Sequence, residues 1–133
     1  MSYATYTNIF TSAMPARGIC RFCGCTEEHG CKLWGSPLRC AWADMRHTCC
    51  TAPKCLEQLE ALKPEAERAV SSRVCVCGTL KSTERSFCGP CYITLPWGLQ
   101  SPLYETRARG FALAYADAKK YLAEQTARLN RGR

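Results

Sequence analysis

Apolar residues fall into helical periods in two stretches of this chain and into no period across most of the rest. From Lys54 to Val70, Leu56, Leu59 and Leu62 recur every third residue with Glu57, Glu60 and Lys63 between them, the pattern of an amphipathic helix. Pro64 interrupts it. Proline lacks an N–H and its ring collides with the preceding turn, so the helix is expected to end or kink there, with Glu65 to Val70 adding a further turn. The second stretch is expected to begin near Ser101 or Pro102, serine suiting the cap and proline the first helical position. With Phe111 at zero and ~100° per residue, Tyr115 falls at ~40°, Ala118 at ~−20°, Leu122 at ~20° and Leu129 at ~0°, a single apolar stripe. Arg109, Lys120 and Arg131 project roughly opposite, beside Asp117 and Glu124.

Where the period is lost, turn formers and cysteines take over. Gly18, Gly24, Gly30, Gly35, Pro37 and Pro53 punctuate the segment from Cys20 to Cys55, which reads as loops and tight turns, with Trp34 and Trp42 as small apolar packing. Val74 and Val76 predict a short strand, Lys81 to Thr83 a turn and Arg85 to Phe87 a returning strand. Gly78 supplies the left-handed residue that a knuckle needs. Trp97, within Leu95 to Leu99, is expected to plug the junction with the last helix. The resulting organisation is a lead-in over 1–18, pinned by Ile9, Phe10 and Met14, then a cysteine-rich module with its helix over 19–72. A ribbon-like module over 73–98 and a C-terminal amphipathic helix with a basic tail over 99–133 complete it. The fold class expected is a small metal-stabilised α+β protein, its second module like a zinc ribbon or treble clef. A chain of 133 residues with this much of it in cysteine loops has little core to bury, and folding is expected to lean on metal.

Twelve cysteines carry the chemistry: Cys20, Cys23, Cys25, Cys31, Cys40, Cys49, Cys50, Cys55, Cys75, Cys77, Cys88 and Cys91. Cysteines with one or two residues between them can aim both sulfurs at one ion, at about 2.3 Å from a tetrahedral Zn²⁺, whereas such a loop is poor disulfide geometry. A disulfide framework and an iron–sulfur cluster are the alternatives. The N-terminal residues have neither the basic start nor the apolar run of a secretion signal, which favours a reducing cytoplasm and free thiols. Cys75, Cys77, Cys88 and Cys91 form the clearest set, two close pairs a hairpin apart. The eight thiols from Cys20 to Cys55 fill two Cys₄ sites, or one site with spare thiols. Cys20 with Cys23 is the entering knuckle, and Cys49 or Cys50 with Cys55 the closing pair. His29 and His47 stand in reserve as ligands. Two or three Zn²⁺ ions are therefore expected.

The formal charge is +7, but every Cys₄ zinc site carries a net −2, so two sites leave +3 and three leave +1. A basic surface must then be local. Leu103 to Arg133 holds seven Lys or Arg against three acids, and Arg107, Arg109, Lys120 and Arg131 are its candidate contacts for nucleic acid or a partner. Arg17, Arg21 and Arg85 are further candidates for phosphate, and Tyr92, Trp97 and Tyr104 for base stacking. No apolar run approaches the ~20 residues of a membrane helix. The His-x-Glu and Pro-Cys-x-x-Cys pattern of zinc deaminases is missing, since His29 is followed by Gly30 and Cys31. No catalytic residues are expected.

The run Cys20-Arg-Phe-Cys-Gly-Cys-Thr26 resembles the opening of small cysteine-rich proteins of bacteriophages and prophages. Cys88-Gly-Pro-Cys-Tyr-Ile-Thr-Leu-Pro96, with the helix after it, resembles the ribbon-to-helix junction of small phage zinc-finger proteins. Cys75-Val-Cys77 departs from their usual two-residue spacer. The resemblance implies a mobile-element origin and action in the host cytoplasm. It implies a non-catalytic protein that binds and modulates a host protein complex, such as RNA polymerase or an anti-viral defence complex, as anti-CRISPR inhibitors do. The alternative is a nucleic-acid-binding zinc-finger transcription regulator. The sequence carries no signal for oligomeric state.

Overall fold

A computed structural model describes residues 17–31, 39–44 and 46–131, with side chains through Leu129. Ile9, Phe10, Met14 and Trp34, the last two residues of the tail and the side chain of Arg131 lie outside the described residues.

Helix α1 spans Pro53–Ser71. Proline occupies its first turn, where the missing N–H is not needed, and Ala52 ahead of it is extended. Cys55, Leu59 and Ala66 form its buried face. The helix does not stop at Pro64. That residue lies on the exposed side, where water can serve the carbonyl it leaves unpaired, while burial of Leu59 and Ala66 on either side holds the helical path.

The second helical stretch is built differently from its expected form. Short helices α2 (Gly89–Thr94) and α3 (Trp97–Gln100) lead into a 3₁₀ turn at Ser101–Leu103, and the long helix α4 begins only at Phe111, running to Arg131. Ser101 and Pro102 thus open a single turn. The chain then breaks because Gly110 passes directly over Asp44, where a Cβ would stand 2.6 Å from the Cβ of Asp44. Phe111, Tyr115, Ala118 and Leu122 are buried as their stripe requires, but Leu129 is 70% exposed, because α4 outruns the core.

The core is larger than a cysteine-loop protein is expected to have. Leu59 of α1, Leu99 of α3 and Leu113 of α4 are almost wholly buried, and Leu95 and Leu103 close around them. Phe87 stacks on Tyr115, with ring centroids 5.2 Å apart. Glu65 of α1 and Lys119 of α4 form an ion pair across the two helices.

Among the described residues no strand of more than one bridge forms. The expected ribbon around Val74 reduces to one antiparallel bridge, Val74 to Leu80, and Arg85 to Phe87 is not a strand. A turn replaces it: Gly78 N–H donates to Cys75 O, Cys75 N–H donates to Thr79 O, and Gly78 takes φ 91° as its left-handed role requires. Two more bridges, Ile19 to Thr26 and Trp42 to Cys50, frame the N-terminal loops. No helix among the described residues is long and apolar enough to cross a membrane.

Candidate metal centres

The second module assembles its thiols from a turn and a helix start. Cys75 and Cys77 lie on the tight turn closed by Gly78, Cys88 precedes the first residue of α2, and Cys91 lies in its first turn. The four Sγ atoms all lie within 4.8 Å of one another, and Cys77 and Cys88 are 3.6 Å apart. Cys88 N–H donates to Cys75 Sγ at 3.3 Å, which ties the helix start to the turn. Hydrogen bonds with the side chain and backbone of Thr79 bring Cys77 down to about 6, while burial pushes Cys88 and Cys91 up. Charge is thus favoured on Cys77 and disfavoured on the more buried Cys88 and Cys91. Such a group is poised for a cation, which would let all four ionise.

The N-terminal thiols come from four separate segments. Cys20 N–H donates to Cys25 O and Gly24 N–H to Cys20 O, which curls Cys20 to Cys25 into a knuckle. Cys40 N–H donates to Cys31 O, and Cys31 N–H donates to Cys40 Sγ at 3.1 Å, which pins those two side by side. Asp44 accepts from the N–H and hydroxyl of Thr48 and from Cys49 N–H, shaping the loop that presents Cys50. Cys55 stands in the first turn of α1. Cys20, Cys23, Cys25 and Cys50 form one group with all sulfurs within 4.8 Å, and Cys25, Cys31, Cys40 and Cys50 form another. Cys55 Sγ lies 3.6 Å from Cys20 Sγ. Burial raises Cys25, Cys31, Cys50 and Cys55, the last to about 12. Against the same burial, hydrogen bonds from the Cys25 backbone and neighbouring thiols carry Cys23 down to about 6.

These distances fit a metal. Four sulfurs at about 2.3 Å from one ion stand about 3.8 Å apart along the edges of a tetrahedron. The closest sulfur pairs here are 3.6–3.7 Å apart, and all twelve cysteines are free rather than disulfide-bonded. All three groups could hold metal ions.

Cys49 is placed apart from them. Its Sγ faces the carbonyls of Cys50 and Cys55 at 3.5 and 3.9 Å, and burial pushes it up to about 11. Neither histidine joins a sulfur group. His29 is exposed, and His47 stacks on Trp42 with ring centroids 5.3 Å apart and its Nδ1 3.7 Å from Glu27. Trp42, bridged to Cys50, packs beside the sulfurs and donates Nε1–H to Glu27.

Of the basic candidates, Arg107, Arg109 and Lys120 are exposed. Arg21 is committed elsewhere: its guanidinium donates twice to Asp117 of α4 at 2.8 and 2.9 Å and once to Thr48 at 2.7 Å. This network escaped the sequence reading. Its one signal was an aspartate alone in the alanine-rich buried part of α4. A cavity of about 350 Å³ beside it is lined by Arg17, Arg21 and Arg46 against Asp44, Glu105 and Asp117, so its charges balance. Trp97 does not plug the junction but is 70% exposed, and Leu95 and Leu99 fill that space instead.

The chain matches no family model, no curated protein and no solved structure.

Proposed function

We propose that this protein is a zinc-held, non-catalytic module that docks on a protein partner through the apolar surface of its second module. The observation that carries the reading is the exposure of Ile93, Trp97 and Tyr104, each 70% or more open on a rigid base of Leu95, Leu99 and Leu103. Ile93 and Tyr104 line one groove with Tyr92 and Arg85, and Trp97 stands four residues further along. Aromatic and arginine side chains of this kind dominate protein interfaces, and a base held by metal and core loses little entropy on binding. Zinc suits all-sulfur tetrahedral groups better than oxygen-seeking cations do. A knuckle pair joined by a pair at a helix start supports a treble-clef-like plan over a ribbon. Four thiolates close an ion's coordination and leave no position for substrate, which supports a binding role. The resemblance to phage and prophage proteins makes RNA polymerase or an anti-viral defence complex the first partner to try.

Nucleic acid is the second reading, favoured by Arg85 beside Tyr92 and Tyr104 in the groove and by exposed Arg107 and Arg109. Capture from host lysate followed by reconstitution with the purified partner tests the first reading. Trp97→Ala and Ile93→Ala should abolish the complex while zinc content stays unchanged. A gel shift that vanishes with added salt, lost in Arg107→Ala/Arg109→Ala but kept in Trp97→Ala, would instead establish the second.

A further inference from the structure

The two N-terminal sulfur groups are not separate. They share Cys25 and Cys50, and Cys23 links them again, 3.6 Å from Cys31 and 3.7 Å from Cys50. With Cys55 beside Cys20, seven thiols make one continuous body of sulfur. Two tetrahedral ions bound independently need eight ligands. The eighth cysteine of the segment, Cys49, faces backbone carbonyls instead, and neither histidine reaches the sulfurs. Seven donors serve two four-coordinate ions when one sulfur serves both.

We propose that Cys20, Cys23, Cys25, Cys31, Cys40, Cys50 and Cys55 hold a binuclear divalent-metal centre in which the thiolate of Cys50 bridges the two ions. Cys25, common to both groups but 3.7 Å from Cys40, goes with Cys31 and Cys40 to one ion, and Cys55, 3.6 Å from Cys20, takes its place beside Cys20 and Cys23 at the other. Cys50 belongs to both sulfur groups, is wholly buried, and lies where the Trp42 to Cys50 bridge meets the start of α1. Its N–H donates to Cys20 Sγ at 3.4 Å, tying the bridging residue to the first ion's ligands. Binding releases one proton from every thiol to solvent. Seven thiolates around two dications leave a net −3, against −4 for two isolated Cys₄ sites. A shared sulfur therefore lessens the charge that burial must bear.

This inference rests on the metal-held reading above and goes further in assigning stoichiometry and a bridge. The test is the full chain loaded with cadmium, its ions counted by native mass spectrometry and its cadmium NMR spectrum recorded. Three ions per chain are expected: one uncoupled resonance from the Cys75 group and two resonances split by scalar coupling through the shared sulfur. Cys49→Ala should keep all three ions and the splitting. Cys50→Ser should lose the splitting and leave the Cys75-group resonance in place; if that variant does not fold, the wild-type splitting alone decides. Three ions without splitting, two ions, or loss of an ion in Cys49→Ala would overturn the binuclear centre while leaving a metal-held protein. A chain that binds no ion would overturn both.

Discussion

Arg21 shows how far a single residue's role can lie from its sequence neighbourhood. It sits inside the Cys20 to Cys23 knuckle, yet its guanidinium reaches Asp117, 96 positions away, and fastens the N-terminal loops to α4. The side chains are only 15% and 8% exposed, so the pair is largely removed from solvent. Removing one partner strands a buried charge, which costs about 3–5 kcal/mol. Arg46, 3.7 Å from Asp117, offsets part of that. Arg21→Ala should lower the free energy of unfolding by about 3 kcal/mol, with any bound-metal count unchanged. Urea titration checks this, and a loss under about 1 kcal/mol would mean that Arg46 already neutralises Asp117. In the sequence Arg21 read as a candidate phosphate contact and Asp117 as an acidic neighbour of the basic face. Charge alone does not reveal a partner on a distant segment.

At the scale of the elements, period predicted that α1 and α4 exist but not where they end. The α1 pattern was readable because its buried face follows the 3.6-residue repeat. Its continuation through Pro64 was not, because burial on both sides of the proline outweighs the missing bond. Pro64→Ala restores an N–H donor on the exposed side and should stabilise the fold by about 1–3 kcal/mol. Thermal denaturation followed by circular dichroism should show a higher midpoint with slightly more helix. An unchanged midpoint would mean that the backbone near Pro64 is already relaxed. The late start of α4 was hidden for a similar reason. Ser101-Pro102 is a sound local start signal, but the approach of Gly110 to Asp44 is a tertiary constraint that local propensity does not contain. The expected hairpin shrank to a turn because Cys75 to Thr79 closes on itself.

In the whole molecule, two sulfur centres flank one apolar core. α1 connects them: Cys55 stands at its start beside the N-terminal sulfurs, and Cys75 follows four residues after its end. Nineteen residues at about 1.5 Å each hold those ends about 28 Å apart, so the two centres can load independently. Chelation at neutral pH should therefore lower the thermal midpoint and open all twelve thiols to a thiol reagent, while part of the α1–α4 helical signal survives on its apolar core. Ligand thiols must be deprotonated to bind, so protons compete with the metal. Lowering the pH should release ions and reduce stability; raising it toward neutrality should restore both. A melting curve and thiol count unaffected by chelator would argue that packing alone holds the fold.

The sequence by itself determined the local units: cysteine pairs close enough to share an ion, a left-handed glycine at the second knuckle, and two helical faces with apolar stripes. These depend on neighbours within a few residues, where chain geometry leaves few choices. Only the tertiary structure decided which knuckle meets which: that Cys50 joins the sulfurs and its neighbour Cys49 turns away, that Asp117 is buried against Arg21, and that Trp97 faces outward. Each of those outcomes requires segments far apart in sequence to be packed together, and which of the many possible closures wins is set by burial and hydrogen bonding across the whole molecule.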